Sequence, residues 1–302
     1  MGWQGKYGHF LTVLRASLNR WPEPVRLEEA DWEFVFDTAC RHCMESVLFD
    51  YVKDLPADSG ISPLLAAKWY SASIREEKNY AAVAAAVDGQ RKEWREKGID
   101  AVLLKGLECS AFYPVPEHRS FGDIDWWMRT ETDWNKALDV LKGNGIRWRQ
   151  DSDGDISYSL GNIPVEHHRR GPVEDSPEGT VLYLAEHVFH HAAVYGVGLR
   201  QICDYALASG NLPIDGEKLF HMARKEGLDR WLGLLDNVTE VLMDGSNPDR
   251  RTEAFLKLVL ADGNFGEGRI SLKRMVILFR SAPQKFFERW AGLAVGRIKR
   301  FL

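Results

Sequence analysis

The chain has 302 residues, of which 45% are hydrophobic and 27% charged, as in an ordinary soluble globular protein. A net charge of −5 excludes nucleic-acid binding through overall positive charge. No apolar stretch approaches the length of a membrane span, and the first apolar run, residues 10–14, is too short for a secretory signal. We therefore expect a cytoplasmic protein.

Residues 1–97 are predicted to form a helical N-terminal region. Apolar residues recur at helix-like spacing over residues 32–51 and predict one helix there. A second, long helix is predicted to begin near Pro63, a good first-turn residue, and to end near residue 97. This region shows no pattern of chemical groups and is interpreted as a helical platform.

Residues 98–175 show a different pattern, which predicts the order β-α-β-α-β-β-β and hence a small mixed sheet with helices packed on it. Thr130 or Thr132 is expected to cap the longer of the two helices. Gly161-Asn162 is a hairpin signal near the end of the segment. The predicted strands cover residues 99–104, 122–128, 146–150, 156–160 and 163–168.

Residues 176–302 are again predicted to be helical, so the fold class is α+β and mostly helical, with the sheet between two helical regions. From Arg269 onward there are nine basic residues and one acidic residue, Glu288. Such a segment can lie on a membrane or meet RNA, although a packed helix with a solvated basic face is the more ordinary interpretation.

Asp123 and Asp125 are the first candidates for chemistry. Side chains alternate along a strand, so both carboxylates face one way while Ile124 and Trp126 face the core. Adjacent carboxylates repel each other unless a cation lies between them, and oxygen ligands suit Mg²⁺ or Mn²⁺. The sequence therefore predicts a metal site on this strand.

Glu166 is the candidate for a third carboxylate, because its predicted strand can lie beside the strand of Asp125. Three carboxylates can hold two Mg²⁺ ions in the arrangement used for in-line displacement at phosphorus. Gly106 lies where a strand gives way to a helix, and glycine there allows close approach of a phosphate. Lys105 and Arg119 flank this turn and are candidate phosphate contacts.

Two further groups lie on the helices after the sheet. His187 and His191 are one turn apart, a spacing that can bind zinc, but we prefer the interpretation that one histidine lines a cleft. Arg200 and Asp204 have the i, i+4 spacing that predicts a salt bridge within the helix.

Several of these residues resemble a known family. The motifs are Leu-Leu-Lys-Gly106, Tyr113-Pro, Arg119, Gly122-Asp-Ile-Asp125 and Val165-Glu-His-His168. They resemble the nucleotidyltransferase superfamily with the polymerase-β-like fold, and more narrowly its bacterial uncharacterised nucleotidyltransferases. The resemblance covers residues 95–210 and departs from the pattern where Leu107 follows Gly106 in place of serine or glycine.

The resemblance implies a transfer of a nucleoside monophosphate from an NTP, with ATP as the expected donor, to an acceptor hydroxyl by a two-metal mechanism. It implies that Asp123, Asp125 and Glu166 are catalytic and hold Mg²⁺ or Mn²⁺. It places Lys105, Gly106, Arg119, Gly122 and Arg200 at the nucleotide. A sugar, an antibiotic, a tRNA end or a protein hydroxyl would each suit as the acceptor. The alternative is a catalytically inactive module of the same fold that binds nucleotide or a partner.

Overall fold

Helices surround one five-stranded mixed sheet, which confirms the predicted fold class. The structure is a computed structural model, and it describes residues 5–19, 27, 30–151, 154–264 and 271–288. The strands are β1 (Ala101–Leu103), β2 (Ile124–Met128), β3 (Arg149–Gln150), β4 (Ile156–Leu160) and β5 (Ile163–His168). The helices are α1 (Gly8–Leu18), α2 (Trp32–Arg41), α3 (Glu45–Val52), α4 (Pro63–Glu96), α5 (Leu107–Ser110), α6 (Glu131–Gly143), α7 (Pro177–Val194), α8 (Leu199–Asn211), α9 (Gly216–Lys225), α10 (Asp229–Met243), α11 (Arg250–Asp262) and α12 (Leu272–Ser281).

The single helix predicted over residues 32–51 is wrong, because the chain forms α2 and α3 with a break between them. Cys43 lies in the break with a φ of 55°, a left-handed conformation that cannot continue a helix. Contacts from distant elements hold this turn: the backbone N–H of Leu199 donates to His42 Nδ1 at 3.2 Å, and Asn264 Nδ2 donates to Cys43 Sγ at 3.2 Å. All four cysteines are free thiols.

The long helix α4 begins and ends as predicted and connects the two hydrophobic cores of the described chain. Ser62 caps it by accepting a hydrogen bond from the backbone N–H of Leu65 at 3.2 Å. Its first turns bury Trp69 in a core shared with α1–α3 and α7–α12. Its later turns bury Val87 and Trp94 against the sheet. The helix therefore ties the helical part of the protein to the sheet.

The sheet has the strand order β1-β2-β5-β4-β3, and the chain order of strands and helices agrees with the prediction. β2 and β5 are parallel neighbours, whereas the other neighbouring pairs are antiparallel. Thr130 caps α6 by accepting from the backbone N–H of Asp133, as one of the two predicted caps. One face of the sheet buries Ile124, Trp126 and Val165 under α4 and α6. Asp125, Glu166 and His168 lie on the opposite face.

The helices after the sheet pack together with the N-terminal helices in one core. Of the basic segment, α12 and residues up to 288 are described: Phe286 is buried and Phe287 is exposed. The remaining apolar residues of that segment, Trp290, Leu293, Val295 and Ile298, lie outside the described residues. Within the described ranges, the helices are all too short or too polar to cross a membrane.

Candidate functional site

The pairing of β2 with β5 places two carboxylates side by side. Asp125 is the register partner of Glu166 in this parallel pair, so their side chains project from the same face of the sheet. Alternation along β2 sends Ile124 and Trp126 into the core, as expected from the sequence. Asp123 lies just before β2 and is half-buried. The two strands thus bring Glu166 to the predicted metal strand.

Asp125 is the most buried of these carboxylates, with 1% of its side chain exposed. Its Oδ1 lies 3.1 Å from Lys105 Nζ and 2.8 Å from His168 Nε2. Burial alone would raise the pKa of Asp125, but the charge of Lys105 and the hydrogen bond from His168 outweigh burial and lower it to about 2. The other oxygen, Oδ2, is buried without a hydrogen-bond partner within the described part of the chain. An ionised carboxylate with one free buried oxygen suits a cation.

Asp123 and Glu166 have pKa values shifted in the opposite direction. Burial, followed by the charge of Asp125, raises the pKa of each, and Asp123 also raises that of Glu166. The three carboxylates therefore lie close enough to repel one another. A bound divalent cation would relieve this repulsion.

The ligand atoms with metal-like spacing belong to Asp125, Glu166 and His168, which lie within 4.8 Å of one another. These residues fit a divalent metal, because the group combines carboxylate oxygens with an imidazole and includes the free oxygen of Asp125. Asp123 does not belong to this closely spaced group. His168 was not among the residues predicted to form the site, although alternation along β5 places it on the same face as Glu166.

Gly106 occupies the turn between β1 and α5 with a φ of 65°. This is the left-handed half of backbone space that favours glycine. A Cβ at this position would meet the backbone oxygen of Asp123 at 3.6 Å and the ring of Phe121 at 3.7 Å. Gly122, by contrast, is exposed, and a Cβ added there would meet no atom of the described residues within 4 Å, so space adjoins it on this part of the chain. The turn of Gly106 is thus packed directly against the loop that carries Asp123.

Lys105 and Arg119 are already engaged by carboxylates. Lys105 contacts Asp125, and Arg119 forms a two-point ion pair with Asp204 on α8, with Nε to Oδ1 at 3.1 Å and Nη2 to Oδ2 at 2.6 Å. Tyr113 donates to the same Asp204 carboxylate at 2.9 Å. The roles of Lys105 and Arg119 as nucleotide contacts stay predictions.

Arg200 points to the site in a way that its helical spacing did not predict. Asp204 pairs with Arg119 rather than with Arg200, so the predicted i, i+4 salt bridge is wrong. Arg200 Nη1 instead donates to the carbonyl of Ser120 at 2.7 Å. Its positive charge partly offsets the rise in the pKa of Asp123 that burial and Asp125 cause. Its Nε is buried without a hydrogen-bond partner in the described ranges. The guanidinium therefore lies near the carboxylates with donor capacity left over.

Helix α7 carries three side chains whose pKa values the charge of Lys105 affects, namely Tyr183, His187 and His191. The rings of His187 and His191 lie 4.4 Å apart, and burial followed by the charge of Lys105 lowers the pKa of both, to about 4 for His191. Burial raises the pKa of Tyr183, one turn earlier, and the charges of Lys105 and Asp125 also act on it. Both shifts favour the neutral imidazole, and the shared influence of Lys105 indicates that the two rings lie near it.

Trp127 is half-buried on the site face of β2. A Cβ on Gly171 would overlap its ring at 2.2 Å, so the Gly171 backbone lies directly on the indole. The guanidinium of Arg129 lies 5.3 Å from the ring centroid. The chain itself therefore covers part of the surface on which a base would stack.

Comparison with protein families finds a match over residues 28–174 to a family described as "Uncharacterised nucleotidyltransferase". The matched segment contains all five strands, Lys105, Gly106 and the carboxylates of the site. Helices α7 and α8, with Arg200, lie beyond it. Comparisons with curated proteins and with solved structures find no match.

Proposed function

We propose that the chain moves a nucleoside monophosphate from an NTP, with ATP as the expected donor, to an acceptor hydroxyl, and the match of residues 28–174 to a nucleotidyltransferase family supports this. The observation that supports this most is the side-by-side placement of Asp125 and Glu166, with Asp125 Oδ2 buried and without a hydrogen-bond partner among the residues that the structure describes. Fold by itself does not establish activity, so the proposal depends on this site.

In the proposed reaction the acceptor oxygen attacks the α-phosphorus. A new bond forms between that oxygen and phosphorus, the bond from the α-phosphorus to the bridging oxygen breaks, and pyrophosphate leaves with the bonding electron pair. Glu166 accepts the acceptor proton, a role consistent with a pKa that burial and its neighbouring carboxylates raise. Asp123, Asp125 and Glu166 would hold a pair of Mg²⁺ or Mn²⁺ ions, which would supply charge neutralisation and lower the pKa of the acceptor hydroxyl.

Donors on two sides of the carboxylates account for phosphate binding in this proposal. Gly106 forms the left-handed turn that is expected to hold the phosphates, and Gly122 leaves open space beside the loop of Asp123. Arg200 contributes guanidinium N–H groups that its hydrogen bond to Ser120 does not use. Lys105 and Arg119 contribute positive charge near the phosphates without direct contact, since each pairs with a buried carboxylate.

Transfer of label from α-³²P-labelled ATP, with MgCl₂ or MnCl₂ and a panel of hydroxyl acceptors, tests the proposal. Asp125→Asn should lower transfer by at least about a hundredfold, because even changes in groups behind a metal ligand cost 10–100-fold. Asp139→Asn is the matched control, since Asp139 is exposed on α6 away from the site. Full transfer by the Asp125→Asn variant would refute the assigned mechanism.

A binding module without catalysis is the second candidate, and one contact favours it. The ammonium of Lys105 lies 3.1 Å from Asp125, where it supplies an internal cation to the carboxylate expected to hold metal. Leu107 also lacks the hydroxyl that a serine would offer to phosphate. Nucleotide binding by calorimetry together with absent label transfer across the acceptor panel would support this candidate over the enzyme.

A further inference from the structure

His168 lies at the end of β5 with both ring nitrogens engaged by carboxylates. Its Nδ1 is 2.8 Å from Asp155 Oδ2, and its Nε2 is 2.8 Å from Asp125 Oδ1 and 3.6 Å from Glu166 Oε2. The ring is largely buried, with 15% of the side chain exposed. The imidazole therefore connects the two carboxylates of the sheet to a third one outside it.

Two backbone hydrogen bonds fix the position of Asp155 beside the histidine. Its Oδ1 accepts a hydrogen bond from the backbone N–H of Arg169 at 2.7 Å, and its own N–H donates to Asp151 Oδ1 at 3.0 Å. An ionised carboxylate only accepts, so the contact with Asp155 puts a hydrogen on Nδ1 of His168. Nε2 faces Asp125 and Glu166, and the contact with ionised Asp125 puts a hydrogen on this nitrogen in the same way, which a bound ion would replace.

A carboxylate behind one nitrogen of a histidine is the usual support of a metal-bound imidazole. The carboxylate fixes the tautomer and the ring orientation and raises the basicity of the ligating nitrogen. The spacing also fits: bonds of about 2.1 Å to an octahedral ion put neighbouring ligand atoms roughly 3 Å apart. The distances from Nε2 to Asp125 and to Glu166, 2.8 Å and 3.6 Å, lie on either side of that value.

A purely electrostatic role for His168 explains less of this geometry. Lys105 already supplies a positive charge to Asp125 Oδ1 at 3.1 Å. The neighbouring oxygen, Oδ2, remains buried without a hydrogen-bond partner among the residues described. A charge-balancing histidine would leave that oxygen unused, whereas an ion between Asp125, Glu166 and His168 would engage it.

We infer that His168 is a nitrogen ligand of the divalent ion at this site, that Asp155 positions it, and that the site consequently selects Mn²⁺ over Mg²⁺. Imidazole suits first-row transition metals, while Mg²⁺ takes oxygen ligands. On binding, Nε2 exchanges its proton for the ion, and the proton goes to solvent. The inference deepens the metal use in the proposed function, but it does not depend on nucleotidyl transfer.

Pulsed EPR of the full chain loaded with MnCl₂ tests the inference directly, because the electron spin of Mn²⁺ couples to a bound ¹⁴N nucleus. The wild type should show ¹⁴N modulation, and His168→Gln should lose it. His221→Gln is the matched control, since His221 is exposed on α9 and its loss should leave the signal intact. Loss of the signal in His187→Gln instead would assign the nitrogen to α7 and overturn the inference.

Affinities measured by calorimetry separate ligation from charge balance. Asp155→Asn should weaken Mn²⁺ binding about 10–100-fold while keeping the ¹⁴N signal, as expected of a residue that acts through the histidine. His168→Asp makes an all-oxygen site and should lower the ratio of Mn²⁺ to Mg²⁺ affinity. An unchanged ratio, or wild-type Mn²⁺ binding without ¹⁴N coupling, would refute the inference.

The failures of the two ideas are distinguishable. A ¹⁴N signal without label transfer would refute the enzyme and leave His168 as a ligand. Label transfer without a ¹⁴N signal would refute only the ligand. Absence of Mn²⁺ binding in the folded wild type would overturn the inference whatever the transfer assay shows.

Discussion

The buried ion pair between Arg119 and Asp204 predicts a large effect of a small substitution. Their side chains are 6% and 5% exposed, two hydrogen bonds of 2.6 and 3.1 Å join them, and Tyr113 donates to the same carboxylate. Asp204→Asn keeps the size of the side chain but removes its charge. The guanidinium of Arg119 is then left buried without a counter-charge, and we expect a marked loss of stability.

The magnitude follows from the burial of the pair. Removing one partner of a buried ion pair costs about 3–5 kcal/mol, because the remaining charge stays desolvated. For 302 residues, an unfolding entropy of about 2.1 cal/mol/K per residue amounts to roughly 0.6 kcal/mol/K. The expected fall in the melting temperature of Asp204→Asn is therefore about 5–8 °C.

Thermal and urea unfolding, followed by circular dichroism, measure this effect in Asp204→Asn, Arg119→Met and the double variant Arg119→Met/Asp204→Leu. The double variant should recover much of the loss, because no buried charge remains unpaired. Asp139→Asn, at an exposed position, should stay within about 0.5 kcal/mol of the wild type. If Asp204→Asn melts with the wild type, the ion pair does not stabilise this fold and the reasoning from burial is wrong.

Two further predictions concern backbone conformation and pH. Gly106→Ala should cost about 1–2 kcal/mol of stability, since its φ of 65° disfavours a side chain, whereas Gly143→Ala at the end of α6, with no atom within 4 Å of its Cβ position, should not destabilise. Urea melts of both variants check this, and equal stabilities would contradict it. Burial alone would lower the pKa of His118, but hydrogen bonds and charges from Asp50 and Glu77 outweigh it and raise the pKa. The stabilisation is therefore fully present below the unfolded pKa of about 6.5 and is lost as pH rises through the higher folded pKa. His118→Gln should remove this pH dependence in melts recorded from acid to alkaline pH, and its persistence would show another origin.

Local signals in the sequence were enough for much of the fold. Thr130 caps the start of α6 and Gly161 forms the turn between β4 and β5, and these elements follow one another as predicted. Both signals could be read from the sequence because caps and tight turns depend on neighbouring residues alone. The break between α2 and α3 escaped prediction. Its turn at Cys43 depends on contacts from Asn264 and Leu199, which lie far along the chain.

The candidate site divides in the same way. Alternation along β2 was sufficient to put Asp125 opposite the core, and the strand assignment of β5 made Glu166 a reasonable partner. The partner of Asp204 was not predictable from spacing. A pair with Arg200 one helical turn away would need no loss of loop-closure entropy, and spacing therefore favours it. In the structure Asp204 instead pairs with the buried guanidinium of Arg119, which comes from the loop before β2 and donates two hydrogen bonds.

The sequence by itself determined the order of strands and helices and the common direction of the two aspartates, since both follow from residue periodicity along single elements. Only the tertiary structure decided which distant groups meet Asp125. The parallel register of β2 and β5 brings Glu166 and His168 beside it, and the turn after β1 brings Lys105. Register between strands separated along the chain depends on packing of the whole sheet, and that packing is where the chemistry of this site is set.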